Sequence, residues 1–319
     1  MPRPLGGRPP YGAYYRRLEG VTQRKEPTSK RMLYQVAEPP YPLSLFVSSL
    51  WYGENVPQHA LERFLPTGHV DIVINVRDAT FRIYDPANLQ HPRHFSGPLV
   101  SGAHSRYYVI DTLQQASLMG LKFRYGGAYP FLGDAVNQLQ DKHVALKDLW
   151  GREAMVLQET VMEAKTPGAR LRCLEQALLA RLSTTVSPHP AVSFAVSHFV
   201  ARQGVSSVST VVGETDLSPR RFIEVFRREV GLPPKLFCCL LRFRQALRLI
   251  AFGPRDGLTG LAVDCGYYDQ AHLIREFKEF TGLTPTAYLA TAGTYDNHVP
   301  LTERGQIYPI HSETPLLYS

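Results

Sequence analysis

The chain has 319 residues, 44% of them hydrophobic and 20% charged, and carries a formal net charge of +7; this is the make-up of an ordinary globular protein with room for two domains. No stretch approaches the roughly 18 uninterrupted apolar residues of a membrane-spanning helix, and Met1 to Gly20 lacks the apolar h-region of a secretory signal. Cys173, Cys238, Cys239 and Cys265 form no CxxC pair and no zinc-like spacing, so free thiols in a reducing cytoplasm are expected, with no metal and no other cofactor.

Taken in chain order, residues 1–35 carry eight basic groups against Glu19 and Glu26 in a Pro- and Gly-rich context. They are expected to be a disordered basic leader. Two readings stand: an arm that strengthens non-specific DNA contact, or a solvated leader with Met32 as the true first residue. Residues 36–185 balance 14 basic against 14 acidic groups. From Leu43 to about Tyr125 the signals are those of strands. Val70, Ile72, Ile74 and Val76 alternate with Asp71, Val73 and Asn75. Further runs at Thr80–Tyr84, Ser105–Asp111 and Gln115–Tyr125 are separated by loops at 85–88 and 96–98, which predicts a small barrel or sandwich. Asp71 and Asn75, on the less apolar side of their strand, either contact a ligand or face water.

The pattern then turns helical. Thr166-Pro167 is an N-cap followed by a first-turn proline, and Leu171, Leu174, Leu178 and Leu182 follow at helical spacing. The helical connector is placed at about 152–182, its leucine stripe serving either dimerisation or packing on its own domain. Ser183–Pro190, with two prolines, is the expected domain boundary. Residues 186–290 carry 12 basic and 9 acidic groups and read as helix from Ala191 to Ala290. Residues 291–319 read as a polar tail. The fold class expected is α+β: a β-rich sensing or dimerisation domain over 36–185, then an all-α domain over 186–290.

An internal repeat at an offset of 51 residues lies in the helical part. Ser218-Pro-Arg-Arg-Phe-Ile-Glu-Val-Phe-Arg-Arg-Glu-Val-Gly-Leu-Pro-Pro aligns without a gap on Asp269-Gln-Ala-His-Leu-Ile-Arg-Glu-Phe-Lys-Glu-Phe-Thr-Gly-Leu-Thr-Pro. Each copy reads as helix, tight turn, helix. The first helices are placed at Ser206–Gly213 and Leu258–Cys265, and Ser218 and Asp269 cap the second ones. The apolar stripes are Phe222/Val225/Phe226 and Leu273/Phe277/Phe280, and Gly231 and Gly282 supply the left-handed stop. This is a helix-turn-helix pattern, whose second helix enters the major groove. At 100° per residue, Arg220, Glu224 and Arg227 face outward from the first copy, flanked by Arg221 and Arg228. Ala271, Arg275 and Lys278 face outward from the second, with His272 flanking and Gln270 in the first turn. Arg pairs with guanine, Gln with adenine, Glu accepts from cytosine, and a small alanine meets a thymine methyl. A helix over Pro233–Ala251, about 28 Å long, joins the copies at a separation suited to one DNA turn of about 34 Å. Arg242, Arg244 and Arg248 on it are either phosphate contacts or a solvated face.

The run Ala262-Val-Asp-Cys-Gly-Tyr-Tyr-Asp-Gln-Ala-His-Leu-Ile-Arg-Glu-Phe-Lys-Glu-Phe-Thr-Gly-Leu-Thr-Pro resembles the signature of the AraC/XylS family of transcriptional regulators, and the likeness extends over about Ala191 to Ala290. The resemblance implies base-reading positions at Gln270, Ala271, Ile274 and Arg275, with Arg220, Ile223 and Glu224 as their first-unit equivalents. Two positions depart from the family: Glu224 and Cys239 stand where many members carry Arg. Phe64-Leu-Pro-Thr-Gly-His-Val-Asp-Ile-Val-Ile-Asn-Val resembles an N-terminal domain of some of these regulators, thought to be cupin-like, whose place is usually taken by a ligand sensor or dimerisation module. A one-component regulator is the expectation. Its expected partners are double-stranded operator DNA and RNA polymerase, then a small-molecule effector and a second copy of the chain; no membrane and no enzymatic activity are expected.

Three rivals remain in view. A cupin-type enzyme would use His91, His94 and His104, but these do not form the H-x-H…E…H pattern of cupin metal sites. A DNA-repair alkyltransferase needs an activated cysteine with a basic partner. An interaction adaptor with degenerate helix-turn-helix units has no reason to keep Arg220, Arg227, Arg275 and Lys278 together, although Glu224 and Glu279 soften that objection.

Overall fold

A computed structural model describes residues 33–54, 61–78, 80–112, 116–182, 187–251, 253, 257–291 and 297–301. Nearly all of the basic leader, Met32 included, lies outside the described residues, as do 183–186 of the expected boundary loop. Eleven strands fall within the described residues: β1 (Leu33–Ala37), β2 (Val47–Glu54), β3 (Leu61–Phe64), β4 (Asp71–Asn75), β5 (Thr80–Asp85), β6 (Asn88–Ser96), β7 (Leu99–Ser101), β8 (Tyr108–Asp111), β9 (Ser117–Phe123), β10 (His143–Ala145) and β11 (His298–Pro300). One sheet runs β1-β2-β9-β4-β7-β10 and the other β11-β3-β8-β5-β6. Every registered pair is antiparallel.

Two departures from the sequence reading concern the ends. Leu33 to Gln35, within the expected leader, begin strand β1, paired with β2. The expected polar tail contributes β11, where His298 pairs with Phe64 and Pro300 with Glu62 of β3; the His298 ring also lies 2.8 Å from the Glu62 carboxylate.

The alternation in β4 divides the molecule into layers. Ile72 and Ile74 point into a large core shared with the helices, while Val73 points into a smaller one made by Phe81, Ile83, Leu99, Ile110 and Leu118 between the sheets. The order is therefore second sheet, first sheet, helices. The helices are α1 (Tyr129–Leu132), α2 (Lys147–Trp150), α3 (Arg152–Glu163), α4 (Pro167–Leu182), α5 (Pro190–Ala201), α6 (Val208–Gly213), α7 (Pro219–Val230), α8 (Pro234–Ile250), α9 (Gly257–Asp264), α10 (Gln270–Thr281) and α11 (Pro285–Thr291). A 3-10 segment, Gly133–Gln138, follows α1. Thr166 caps α4 by accepting from the Ala169 amide at 3.2 Å. Leu171, Leu174 and Leu178 are buried in the chain's own core, so the leucine stripe packs at home and does not present a dimer contact.

The same core continues into the C-terminal helices, taking in Phe199, Phe222, Phe226, Phe237 and Phe277. Tyr125, just beyond β9, packs edge-on against Phe237 of α8 with centroids 4.8 Å apart. The β-rich and helical regions are thus joined by continuous apolar burial rather than by a linker alone.

Between the sheets sits a polar cluster. His104, Tyr108 and His143 meet with ring centroids 4.4 to 4.5 Å apart, and Ser101 Oγ lies 3.3 Å from His143 Nε2. Asn75, read as a ligand contact or a solvent-facing residue, is neither. It is 1% exposed and shapes the turn to β5, donating to the Thr80 carbonyl and accepting from the Arg77 and Asp78 amides. Burial pushes the Asp71 carboxyl up to about 6, against the pull of Lys122. Burial holds His104 down to about 4, against Asp141, and holds His143 well below its ordinary range. A histidine with a depressed folded pKa stabilises the fold fully above about 6.5, and this is lost as pH falls toward 4; the raised Asp71 works in the opposite sense over the same window. Two groups outweigh one, so the thermal unfolding midpoint is expected to be lower at pH 5 than at pH 7. A higher midpoint at pH 5 would contradict these burial assignments.

Candidate nucleic-acid interface

Each repeat folds as two helices and a tight turn, as its residues dictate. In the first, α6 leads through 214–218 into α7, where Ser218 accepts from the Arg221 amide and Gly231 closes the helix at φ 85°. In the second, α9 leads into α10, where Asp269 accepts from the His272 amide and Gly282 closes it at φ 72°. Only glycine takes such left-handed stops without cost. The first helices begin two residues later and one residue earlier than the sequence reading placed them, a fraying-scale difference. Phe222, Val225, Phe226 and Val230 are buried on α7, and Leu273, Phe277 and Phe280 on α10.

The opposite faces are open. Ser218, Arg220, Arg221, Ile223, Glu224 and Arg227 are exposed, and so are Gln270, Ala271, Arg275 and Lys278; His272 and Ile274 are half-buried. Ala271, Ile274, Arg275, Lys278 and Glu279 line a shallow depression of about 570 Å³ on α10. Arg221 and Glu224 form an exposed pair at 3.0 Å, a contact of at most about 1 kcal/mol. The helix between the units spans Pro234–Ile250, about 26 Å at 1.5 Å per residue.

Three side chains depart from the sequence reading. Arg242 is neither a phosphate contact nor on a solvated face. Its side chain is 17% exposed, 3.4 Å from Glu276 and stacked over Tyr267 at 5.4 Å, tying α8 to α10. His272 turns partly inward, with Nε2 3.7 Å from the same Glu276. Arg228 leaves the flank of α7 to lie over the Tyr129 ring at 5.4 Å and 3.9 Å from Asp134. The neighbouring Glu229, 1% exposed, accepts from the His189 amide at 2.8 Å and anchors the start of α5 to α7.

Two features of this face escaped the sequence reading. Tyr268, in the turn before Asp269, is 91% exposed. A single exposed aromatic in a turn gives no periodic signal. Thr259 of α9 donates to Gln270 Oε1 at 2.8 Å, a contact between the two helices of one unit that only the fold brings together.

The residues of the rival enzymatic readings are dispersed. His91 and His94 are both exposed on β6 while His104 is buried, and among the described residues no group of three His, Cys, Asp or Glu side chains is arranged to hold a metal. Burial pushes the Cys238 and Cys265 thiols up to about 12 and Cys239 to about 11, the reverse of an activated nucleophile. Among the described residues no helix is long and apolar enough to cross a membrane.

Residues 211–291, the stretch holding both units, match the family model described as "Helix-turn-helix domain". The C-terminal region is therefore a helix-turn-helix domain. Residues 35–145 match a second model, described as "Domain of unknown function (DUF6597)", which covers most of both sheets. A curated relative, an uncharacterized HTH-type transcriptional regulator of Haemophilus influenzae, is 29% identical over 72 residues, 23% of this chain and 24% of that protein; the chain therefore matches about a quarter of its relative's length. Among solved structures, an apo variant of ToxT from Vibrio cholerae is similar at a TM-score of 0.41 and 12% identity, covering 84% of this chain and 99% of that one. Wild-type ToxT with bound unsaturated fatty acid is similar at 0.39 and 12%, covering 84% and 97%. Within the matched stretch, α7 and α10 are the second helices of the two helix-turn-helix units.

Proposed function

We propose that the chain is a one-component transcription regulator that places α7 and α10 in two adjacent major-groove segments of operator DNA. The observation that carries this reading is the pair of matching helix-turn-helix units, each with an open polar face, held at the two ends of α8. Arg220, Glu224 and Arg227 face the first segment, with Ile223 offering an apolar contact; Gln270, Ala271, Ile274 and Arg275 face the second. Ser218, Arg221, His272 and Lys278 border these faces. The depression along Ala271 and Ile274 suits a thymine methyl, and Arg275 at its rim suits guanine. The β-rich region is the sensing module. Its interior cluster of Ser101, His104, Tyr108 and His143 is where a small hydrogen-bonding effector finds partners, and RNA polymerase is the expected protein partner. A second copy of the chain, if it joins on DNA, does so through a surface other than the buried leucine stripe.

The test is selection of bound duplexes from a random library by the full chain, since its core runs through both regions. Enrichment of two short motifs about one helical turn apart is expected; no enrichment at low salt would favour the adaptor. Two variants refine the assignment. Lys278→Ala is expected to weaken all sequences alike and to flatten the dependence of affinity on salt by about one phosphate contact. Thr259→Val is expected to blur the base preference under Gln270, at a cost of about 1 kcal/mol, because Thr259 donates to Gln270 Oε1 and so holds the side-chain amide; Thr259→Ser is expected to restore it.

A further inference from the structure

One loop of the β-rich region reaches the C-terminal ends of both recognition helices. The connection from β7 to β8, Gly102–Tyr107, places Ala103 against Gly231, the stop of α7, and Tyr107 against Gly282, the stop of α10. A Cβ added at Gly231 would lie 3.5 Å from the Ala103 methyl and 3.3 Å from the Val136 carbonyl; one added at Gly282 would lie 2.8 Å from the Tyr107 ring and hydroxyl. These two glycines sit 51 positions apart in the repeat but only four residues apart along the loop that meets them.

The loop is itself held firmly. The Gly102 amide donates to the Lys142 carbonyl at 2.9 Å, and the Asp141 amide to the Ala103 carbonyl at 3.2 Å. The Ser105 amide and hydroxyl donate to the two carboxylate oxygens of Asp141 at 2.6 and 2.8 Å. Tyr107 is packed under Arg63 of β3, 5.7 Å above its ring. The 3-10 segment Gly133–Gln138, which leads into Asp141, lies along α7, where Asp134 approaches Arg228. The two stops therefore rest on one stitched unit made of the loop and residues 133–141.

We infer that the loop Gly102–Tyr107 is a brace that fixes how α7 and α10 are placed relative to each other, and so sets the spacing of the DNA segments the protein accepts. This rests on the proposed reading of the two helices as DNA-binding. Ala103 and Tyr107 are positioning residues: they touch no base, and they act through the ends of the helices that do. Inserting two base pairs between half-sites turns one relative to the other by about 70°, which a braced pair cannot follow and a freed α10 can.

Two measurements on the full chain test this. In the first, duplexes with the selected half-sites at their native spacing and with one- or two-base-pair insertions are titrated against wild type, Tyr107→Ala, Tyr107→Phe and Ser105→Ala. Wild type and Tyr107→Phe, which keeps the ring against Gly282, are expected to lose about tenfold or more in affinity on insertion. Tyr107→Ala and Ser105→Ala are expected to lose markedly less while binding the native spacing. A simple loss of stability would weaken every spacing alike. The second measurement needs no DNA: amide hydrogen exchange is expected to rise at 278–283 in Tyr107→Ala and at both 227–232 and 278–283 in Ser105→Ala. Unchanged spacing tolerance with unchanged exchange in both variants would overturn the brace. A wild type that selects no two-part site would remove the DNA reading, and the exchange data would still decide whether the loop holds the helices.

Discussion

Phe226→Ala is expected to cost about 3–5 kcal/mol of folding stability, a large share of the roughly 5–15 kcal/mol that typically holds a domain together. Phe226 is fully buried, and its ring meets Phe222, Phe237 and Phe199 at 5.7, 5.6 and 6.1 Å. Phe237 and Phe199 are held by their own contact at 6.4 Å, which limits how far they can relax into the space. Phe237 in turn touches Tyr125 of the β-rich region, so the loss is expected to be felt there. Both tryptophans of the chain, Trp51 and Trp150, lie in that region, whereas most of the helix is elsewhere. Urea unfolding followed by tryptophan fluorescence and by far-ultraviolet circular dichroism therefore reports the two parts separately. The substitution is expected to shift both transitions together; a shift in the dichroism alone would mean that the regions unfold independently.

Arg275→Ala is expected to lower affinity for the selected duplex by about 1–3 kcal/mol and to relax preference at a single base pair. The side chain is exposed at the rim of the α10 depression and has no structural task comparable to that of Arg242, so folding should be unaffected. Binding titrations against duplexes carrying each of the four bases at the affected position separate the outcomes. Equal weakening on all four would make Arg275 a phosphate contact and shift base reading toward Gln270 and Ala271.

The helical half was legible because its information is local. Ser218 and Asp269 as caps, Gly231 and Gly282 as stops, and apolar residues at helical spacing each act within a few positions, and their recurrence after 51 residues leaves little freedom. The outward faces followed from the same geometry. The fate of Arg242 did not, because an arginine on a helix flank looks the same whether it faces phosphate or a carboxylate 34 positions away at Glu276. In the β-rich half, β4 and β9 showed their alternation. The edge strand β6, Asn88–Ser96, is mostly exposed and contains Pro92, so it carries almost no apolar pattern and edge position alone permits the proline. Strand β11 has three residues and one fully buried side chain, Val299. Only its pairing with β3, more than 230 positions earlier, makes it a strand.

That pairing also limits how the DNA-binding half can move. Its leading side is fixed through α4 and α5, and its trailing side returns through α11 to lie beside β3. It is in effect an insertion in the β framework, moored fore and aft like a gangway. A hinge at a single linker, the ordinary way two domains swing apart, would tear β11 from its sheet. With the shared core and the Gly102–Tyr107 loop packed between these two moorings, any change in the β-rich half reaches α7 and α10 through packed contacts rather than through a free hinge.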